Sequence, residues 1–398
     1  MLIVMKFGGS SLATADRIDN AARIIAKRRE EGDDVVAVVS AQGGVTDKLV
    51  KKGLETAESP SPRENDVLIS SGELVSMSLM AMKLCSIGVD AISLSGWQAG
   101  IHTSGQHGSA SISYIDTKRI LAELEAKRAV IVAGFQGIND AGDITTLGRG
   151  GSDTTAIALA AALHADSCYI YSDVRGVFSA DPKTVDHAVK HEEISYDEML
   201  EMSSLGAKIL HNRSVGMAKQ SGVQFEVLSS FDGQRGTLIH DFSRENCVSG
   251  IVCDDNVAMI SAIGIDSGGA TSKLFSFLAE NNIHVDTIIR SPRSDGLRGV
   301  VSFSVPGSSL KDVISAINGK KGAVEFERLA VEDNLAKISV VGTGMADGCG
   351  VAARMLVALS RIGIEPKYIT TGEIRVSVII KKALAEVAAN AVHDEFFN

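Results

Sequence analysis

The sequence predicts an α/β fold, a mostly parallel sheet sandwiched by helices over residues 1–240, followed by two smaller ferredoxin-like modules. Three observations carry the prediction. Short β-rich apolar runs alternate with stretches of helical period from Leu2 to about Val227; glycine turns follow several of those runs directly; and past Thr237 a βαββαβ pattern occurs twice.

The first strand is Leu2 to Phe7, closed by Gly8 and Gly9, and a helix-period stretch from Ala15 to Arg29 follows it. Val35 to Val39, an unbroken run of Val and Ala, is the second strand and turns at Gly43 and Gly44. Apolar period then places a long helix over Asp66 to Cys85, a strand at Val89 to Leu94, a helix at Thr117 to Lys127 and a strand at Val130 to Ala133 that ends on Gly134. Thr154 to Leu163 reads as a helix, Cys168 to Tyr171 as a strand, Ala207 to Gln220 as a helix and Gln224 to Leu228 as a strand. In open α/β sheets the ligand sits beyond the carboxyl ends of the strands, which is where the glycine turns fall.

Asp232 to Asn246, polar and holding Gly233 and Gly236, reads as a linker. Beyond it, Ala258-Met-Ile-Ser-Ala-Ile-Gly264 matches Ala336-Lys-Ile-Ser-Val-Val-Gly342. Each copy continues with a glycine-rich loop and an apolar helix, carrying Leu274, Phe275, Phe277 and Leu278 in the first and Met355, Leu356, Ala358 and Leu359 in the second. Strands are expected at Ile283 to Ile288 and Val300 to Val305, and at Ile364 to Ile369 and Ile374 to Ile380, with closing helices near Lys311 to Ile317 and Leu384 to Glu395. The modules therefore span 248–330 and 331–398, and a strand near 248–254 is a candidate to pair with the second. A module of that size is close to the limit for a lone core, so the two are expected to pack together or on a second subunit, giving a homo-oligomer.

Lys and Arg number 39 against 49 Asp and Glu, a net charge of −10, which speaks against a nucleic-acid-binding surface and requires an anionic small substrate to be met by local cations. Polar or charged side chains interrupt every apolar run before about 18 residues, and the N-terminus lacks a basic region ahead of its short apolar run. A membrane span and a signal peptide are therefore not expected, and the chain is read as cytoplasmic. The five cysteines, Cys85, Cys168, Cys247, Cys253 and Cys349, form no CxxC pair and lie near no His at zinc-ligand spacing, so reduced thiols are expected and no metal-ligating set is evident.

Four clusters can carry chemistry. Lys6-Phe-Gly-Gly-Ser10 sets a cation and two permissive glycines at a strand end, suited to an anion nest for phosphate, although a KxGG sequence alone is better explained as an ordinary tight turn. Gly148-Arg-Gly-Gly-Ser-Asp153 runs into an Ala-rich helix whose N-terminus favours an anion, with Arg149 able to grip a carboxylate or phosphate bidentately; Ser152 or Asp153 is otherwise simply a cap. In Ser70-Ser-Gly-Glu73 the carboxylate either faces a substrate ammonium or is solvated. Tyr171-Ser-Asp-Val-Arg-Gly-Val-Phe178 and the following Ser179-Ala-Asp-Pro-Lys183 form a strand-end loop that either holds a nucleotide, with Phe178 beside the base, or is a surface turn.

Taken in order, KFGGSS at Lys6 to Ser11, VVSAQGGVTDKL at Val38 to Leu49, SSGE at Ser70 to Glu73, TLGRGGSDTTA at Thr146 to Ala156, YSDVRGVFSADPK at Tyr171 to Lys183 and GAKILH at Gly206 to His211 resemble the aspartate kinases of the amino-acid kinase superfamily. Monofunctional members of that family end in two ACT modules, which is where the repeat lies. The resemblance implies phosphorylation of L-aspartate by MgATP to 4-phospho-L-aspartate, the first step toward lysine, threonine and methionine. It implies catalytic roles for Lys6, Arg149 and Asp153, and aspartate contacts from Ser40, Thr46, Glu73 and Arg149, with Glu73 on the ammonium. Nucleotide contacts fall to Lys6, Gly8, Gly9, Ser10, Ser172, Asp173, Phe178, Lys183 and Lys208, and Mg²⁺ is held mostly by phosphates and water. Phe178 and Lys183 stand where Tyr and Arg are common, which keeps stacking and a charge but not a hydroxyl contact or a bidentate grip.

ACT pairs of this family bind lysine or threonine, so Asp266, Gly269, Asp286 and Arg290 are implied effector contacts. Arg290 puts a cation where the family often has an amide, so threonine is expected to inhibit more strongly than lysine, with lost feedback as the alternative. Two rivals stand beside the aspartate kinase reading: another carboxylate kinase of the superfamily, which Glu73 disfavours when the substrate amine is acetylated, and a non-catalytic amino-acid sensor, which intact Lys6, Arg149 and Asp153 disfavour.

Overall fold

The computed structural model describes residues 1–207, 209–242, 248–266, 269–292, 298–319, 326–343, 345 and 350–397. By packing, the chain forms two units, one of residues 1–178, 189–204 and 208–243, the other of 179–188, 205–207 and 244–398.

In the first unit, the apolar runs β1 (Leu2–Phe7) and β2 (Asp34–Val39) are buried on both faces after their first residue, as parallel strands between helix layers must be. The helix α1 (Ala15–Glu30), capped by the Thr14 hydroxyl, turns Ile18, Ala22 and Ile25 onto them. Next come α2 (Val45–Thr56), α3 (Pro62–Ser86), β3 (Ala91–Leu94), β4 (Ile101–Ser104), β5 (Ser111–Ile115), α4 (Lys118–Glu125) and β6 (Ala129–Ala133). The rest of the unit is β7 (Gln136–Ile138), β8 (Ile144–Thr146), α5 (Gly151–Ala162), β9 (Ser167–Ser172), β10 (Glu193–Ser195), α6 (Tyr196–Ser204), α7 (Asn212–Ser221), β11 (Phe225–Ser229) and β12 (Thr237–His240). Among the described residues the main sheet runs β10-β12-β11-β9-β1-β2-β6-β3, with β11 and β12 antiparallel and the other pairs parallel, and a small sheet runs β5-β4-β7-β8. β1 is thus central, and Lys6 leaves the sheet at its middle.

α3 is, among the described residues, the helix long and apolar enough to cross a membrane by length and composition, which the interruption of its apolar runs did not suggest. Half of its most apolar window is buried inside the protein, and Asp66, Ser70, Glu73 and Ser76 are buried with it, so it is a core helix with a polar inner stripe. Two further expectations are corrected. The helix predicted over Ala207 to Gln220 begins only at Asn212, because the His211 ring caps it. The polar stretch read as a linker contains β12, seated between β11 and β10.

The second unit contains β13 (Gly250–Asp266), α8 (Ala270–Glu280), β14 (Ile288–Pro292), β15 (Arg298–Pro306), α9 (Leu310–Gly319), β16 (Arg328–Val341), α10 (Val351–Arg361), β17 (Tyr368–Thr371), β18 (Arg375–Lys381) and α11 (Ala385–Phe397). Among the described residues its sheet runs β14-β15-β13-β16-β18-β17, and β13 and β16 are long enough to pass through both halves. Val257–Asp266 pairs with β15, whereas Gly250–Asp254 pairs with Lys337–Val341 of β16, so the leading stretch of the first module's span pairs with the second, as expected of a strand near 248–254. The strand expected at Ile283 to Ile288 starts only at Ile288; before it the Thr287 amide donates to the Ser304 hydroxyl, while the Thr287 carbonyl accepts the Ser304 amide. In the second half the strand expected from Ile364 starts at Tyr368, past Pro366, which has no N–H to give.

Residues 179–188 interrupt the span 1–240 expected for the first domain. Ala180 and Val185 are buried in one cluster with Ile251, Ile338, Val378 and Val392 of the second unit. Ser179 Oγ lies 2.8 Å from His393 Nε2, the Ile251 amide donates to the Ser179 carbonyl at 2.6 Å, and Asn390 Nδ2 donates to the Thr184 carbonyl at 2.8 Å.

Candidate active site

The first unit's candidate site is built from turns at the carboxyl ends of β1 and β2 and from the helices that meet them. Gly8 donates its amide to the Tyr171 carbonyl at the end of β9, and the Ser40 amide donates to the Phe7 carbonyl, so the three strand ends are tied together. A Cβ on Gly9 would stand 2.8 Å from the Ala41 carbonyl oxygen, and the Gly43 amide donates to the Gly9 carbonyl at 3.0 Å. Only glycine lets these two turns interlock.

Lys6 is buried, and its Nζ lies 2.6 Å from Asp153 Oδ1 in the first turn of α5. α5 approaches closely because its entry is glycine: a Cβ on Gly151 would meet the Phe135 ring at 2.8 Å, and one on Gly134 would meet Ser152 Oγ at 2.7 Å. Gly148 and Gly150 have φ of +76° and +71°, conformations that L side chains rarely adopt. Between them Arg149 is exposed and has no hydrogen bond or ion pair among the described residues.

Glu73 reaches the same end of the sheet from α3. It is 3% exposed, accepts the Ala41 amide on Oε1 at 3.0 Å, and leaves Oε2 buried without a partner. Burial pushes its carboxyl up to about 7, with the backbone donors pulling the other way. An orphaned carboxylate oxygen inside a fold is costly unless a ligand's donor completes it. Thr46, half-buried, stands in the first turn of α2 just beyond Ala41.

On the β9 side Ser172 Oγ donates to Asp173 Oδ1 at 3.1 Å, and Phe178 is half-buried and bridged to Lys190. Lys183 is exposed in the stretch that belongs to the second unit, and Lys208 lies outside the described residues. Of the effector candidates, Gly269 is the left-handed residue before α8, Asp286 forms a 2.5 Å ion pair with the buried Lys337, and Arg290 is exposed on β14. Asp266 is the last residue of β13. Cys168 is buried with its thiol pushed up by desolvation, and Cys85 and Cys253 are free.

The amino acid kinase family model matches residues 1–229, and an ACT domain model matches residues 338–396. Aspartokinase 2 of Bacillus subtilis is 45% identical over 99% of this chain and 97% of its own length. The chain belongs to the aspartokinase family. E. coli aspartokinase III, in a crystal structure with aspartate and ADP, superposes with a TM-score of 0.82 at 26% identity, covering 100% of both chains. The aspartokinase of Geobacillus stearothermophilus is 44% identical over 99% of this chain and 97% of its own length.

Within this aspartokinase, three residues that sequence reasoning passed over buttress the glycine loop. Asp66 is fully buried four residues before Ser70; His211 fills the space over Gly150, where a Cβ would stand 2.3 Å from its own; and Arg213 Nη1 donates to the Leu147 carbonyl at 2.5 Å. Asp66 left one signal, a carboxylate in the first turns of an otherwise apolar helix pattern, which reads just as well as a solvated first-turn acid.

Proposed function

We propose that the cluster around Lys6, Glu73, Arg149 and Asp153 is the site at which this aspartate kinase transfers the terminal phosphoryl group of ATP to the side-chain carboxylate of L-aspartate. The reaction gives 4-phospho-L-aspartate and ADP, the first step of lysine, threonine and methionine biosynthesis. The observation that carries the residue assignment is the unpartnered Oε2 of buried Glu73, an acceptor suited to the substrate ammonium.

The nucleophile is ionised at neutral pH, with a reference pKa of about 4, so no general base is needed. One aspartate carboxylate oxygen bonds to the γ-phosphorus as the bond from phosphorus to the β,γ-bridging oxygen breaks. The site's task is to hold two anions together, which is the positioning and electrostatic pattern of phosphoryl transfer. Lys6, aimed by Asp153, meets the charge on the transferring group, and the amides of Gly9 and Ser10 form the nest beside it, the Gly8 amide being spent on the Tyr171 carbonyl. Arg149 takes an aspartate carboxylate, with Ser40 and Thr46 lining the same pocket. Ser172, Asp173, Phe178, Lys183 and Lys208 serve the nucleotide.

Mg²⁺ would be brought with the nucleotide. No group of three or more His, Cys, Asp or Glu side chains able to hold a metal ion occurs among the described residues, and Asp153 is already paired with Lys6. The ion's charge would be carried on the phosphates.

The second unit is proposed to bind an amino-acid effector and to join copies of the chain through its ACT modules. The edge strands β14 and β17 expose Ile288 and Ile369, which supports pairing with another copy. E. coli aspartokinase III has been crystallised with lysine and aspartate in a T-state; that structure superposes with a TM-score of 0.79 at 25% identity, covering 100% of both chains. Here Lys337 already neutralises Asp286 and Arg290 adds a cation, so a zwitterionic effector such as threonine is favoured over lysine. Initial-rate titration of the enzyme with each amino acid tests this, strong inhibition by lysine alone being the contrary result. The active-site assignment is tested by Arg149→Ala, which should raise the KM for aspartate.

A further inference from the structure

We infer that Asp66 and Arg213 are positioning residues that clamp the glycine loop bearing Arg149, and so set the enzyme's affinity for aspartate. The inference rests on the reading of Arg149 as the grip on aspartate.

Asp66 is wholly buried in α3, yet its contacts leave the helix. Its Oδ1 accepts the Thr146 hydroxyl at 2.7 Å. Its Oδ2 accepts the amides of Thr146 at 3.0 Å and Gly108 at 2.9 Å, and lies 3.0 Å from His107 Nδ1. Every partner belongs to one of two segments that flank the start of the glycine loop, residues 107–108 and Thr146. Those segments are joined to each other, since the Ala110 amide donates to the Thr146 carbonyl at 3.0 Å.

Arg213 acts on the next residue. From the first turn of α7 its Nη1 donates to the Leu147 carbonyl at 2.5 Å and to the Ala110 carbonyl at 3.4 Å, while the Leu147 amide donates to the Phe135 carbonyl at 2.9 Å. Thr146 and Leu147 are thereby fixed through amide, carbonyl and side chain, and Arg149 follows two residues later across the left-handed Gly148. A long exposed side chain grips a carboxylate tightly only when its backbone is held still before the ligand arrives. All of these contacts go to the 107–108 and Thr146 segments, so an apolar side chain at this position would leave their donors unsatisfied and those segments unanchored.

The test uses the full-length enzyme. Asp66→Asn keeps the shape but turns an amide NH₂ toward backbone donors. It should raise the KM for aspartate by about tenfold or more while the KM for ATP moves less than about twofold. Amide hydrogen exchange over residues 144–149 should quicken, with residues 129–133 unchanged. Arg213→Ala should show the same pair of effects, and Arg213→Lys should recover part of the loss, which keeps the test open should Asp66→Asn fail to fold. Variants that lower the melting temperature but leave both the aspartate KM and the exchange of 144–149 at parent values would overturn the clamp. Arg149→Ala separates the two readings. If it leaves the aspartate KM unchanged, the grip assignment falls, and exchange alone then decides the clamp: quickened exchange in Asp66→Asn upholds it and parent-like exchange overturns it.

Discussion

Burial pushes the Glu73 carboxyl up to about 7, so near neutral pH it is protonated in part of the population, and the substrate ammonium favours the charged form. With its carboxyl at about 7, against an ordinary value of 4.5, the folded enzyme binds more protons than the unfolded chain between those values. Stability of the ligand-free enzyme should therefore fall as pH rises from about 4.5 to 7, by roughly 3 kcal/mol at most, and Glu73→Gln should remove that slope. Arrival of the aspartate ammonium favours the charged carboxylate, so binding near pH 6.5 should release up to one proton. Calorimetric titration with aspartate in buffers of different ionisation enthalpy measures this, and equal heats in all buffers would contradict it. Lys6 makes a second prediction at this scale. Lys6→Met leaves Asp153 without its cation and the transferring group without its charge partner, so kcat should drop about 100-fold or more with little change in the KM for aspartate.

At the scale of elements, close approach decides the site. Gly72 lets α3 lie against the turn after β2, since a Cβ there would come within 2.8 Å of the Ala41 Cβ. Gly72→Ala should push the helix off that turn, cost about 1 to 3 kcal/mol in thermal unfolding, and raise the KM for aspartate through displaced Glu73. The long strands and α1 could be read from sequence because Leu2 to Met5 and Val35 to Val39 are unbroken apolar runs and Ile18, Ala22 and Ile25 keep helical period. The small sheet could not: β7 and β8 have three residues each, too few to show a period, and the exposed Lys51, Lys52 and Glu55 mask α2. Most proposed active-site residues lie on glycine-marked turns, which advertise themselves. Asp66 and Arg213 act on backbone some 80 and 66 residues away in sequence, a relation that no local spacing records.

Across the whole molecule, the chain's two units do not follow its linear order. Residues 179–188, which carry the exposed Lys183, are anchored through Ala180 and Val185, which pack among side chains of β13, β16, β18 and α11. A chain ended after residue 243 would lose those partners, so that stretch should become a site of rapid proteolysis and the KM for ATP should rise while that for aspartate changes less. Parent-like protection of 179–188 in the shortened chain would contradict this. Regulation and catalysis should separate along the same lines, point changes near Gly269 altering effector response and oligomerisation but leaving uninhibited kcat close to normal. The most direct test of the site is the enzyme's discrimination by substrate charge, read as kcat/KM for aspartate against succinate, its analogue without the amino group, in the parent and in Glu73→Gln. The parent should prefer aspartate strongly, and Glu73→Gln should shrink that preference by about tenfold or more. An unchanged preference would show that Glu73 does not read the ammonium.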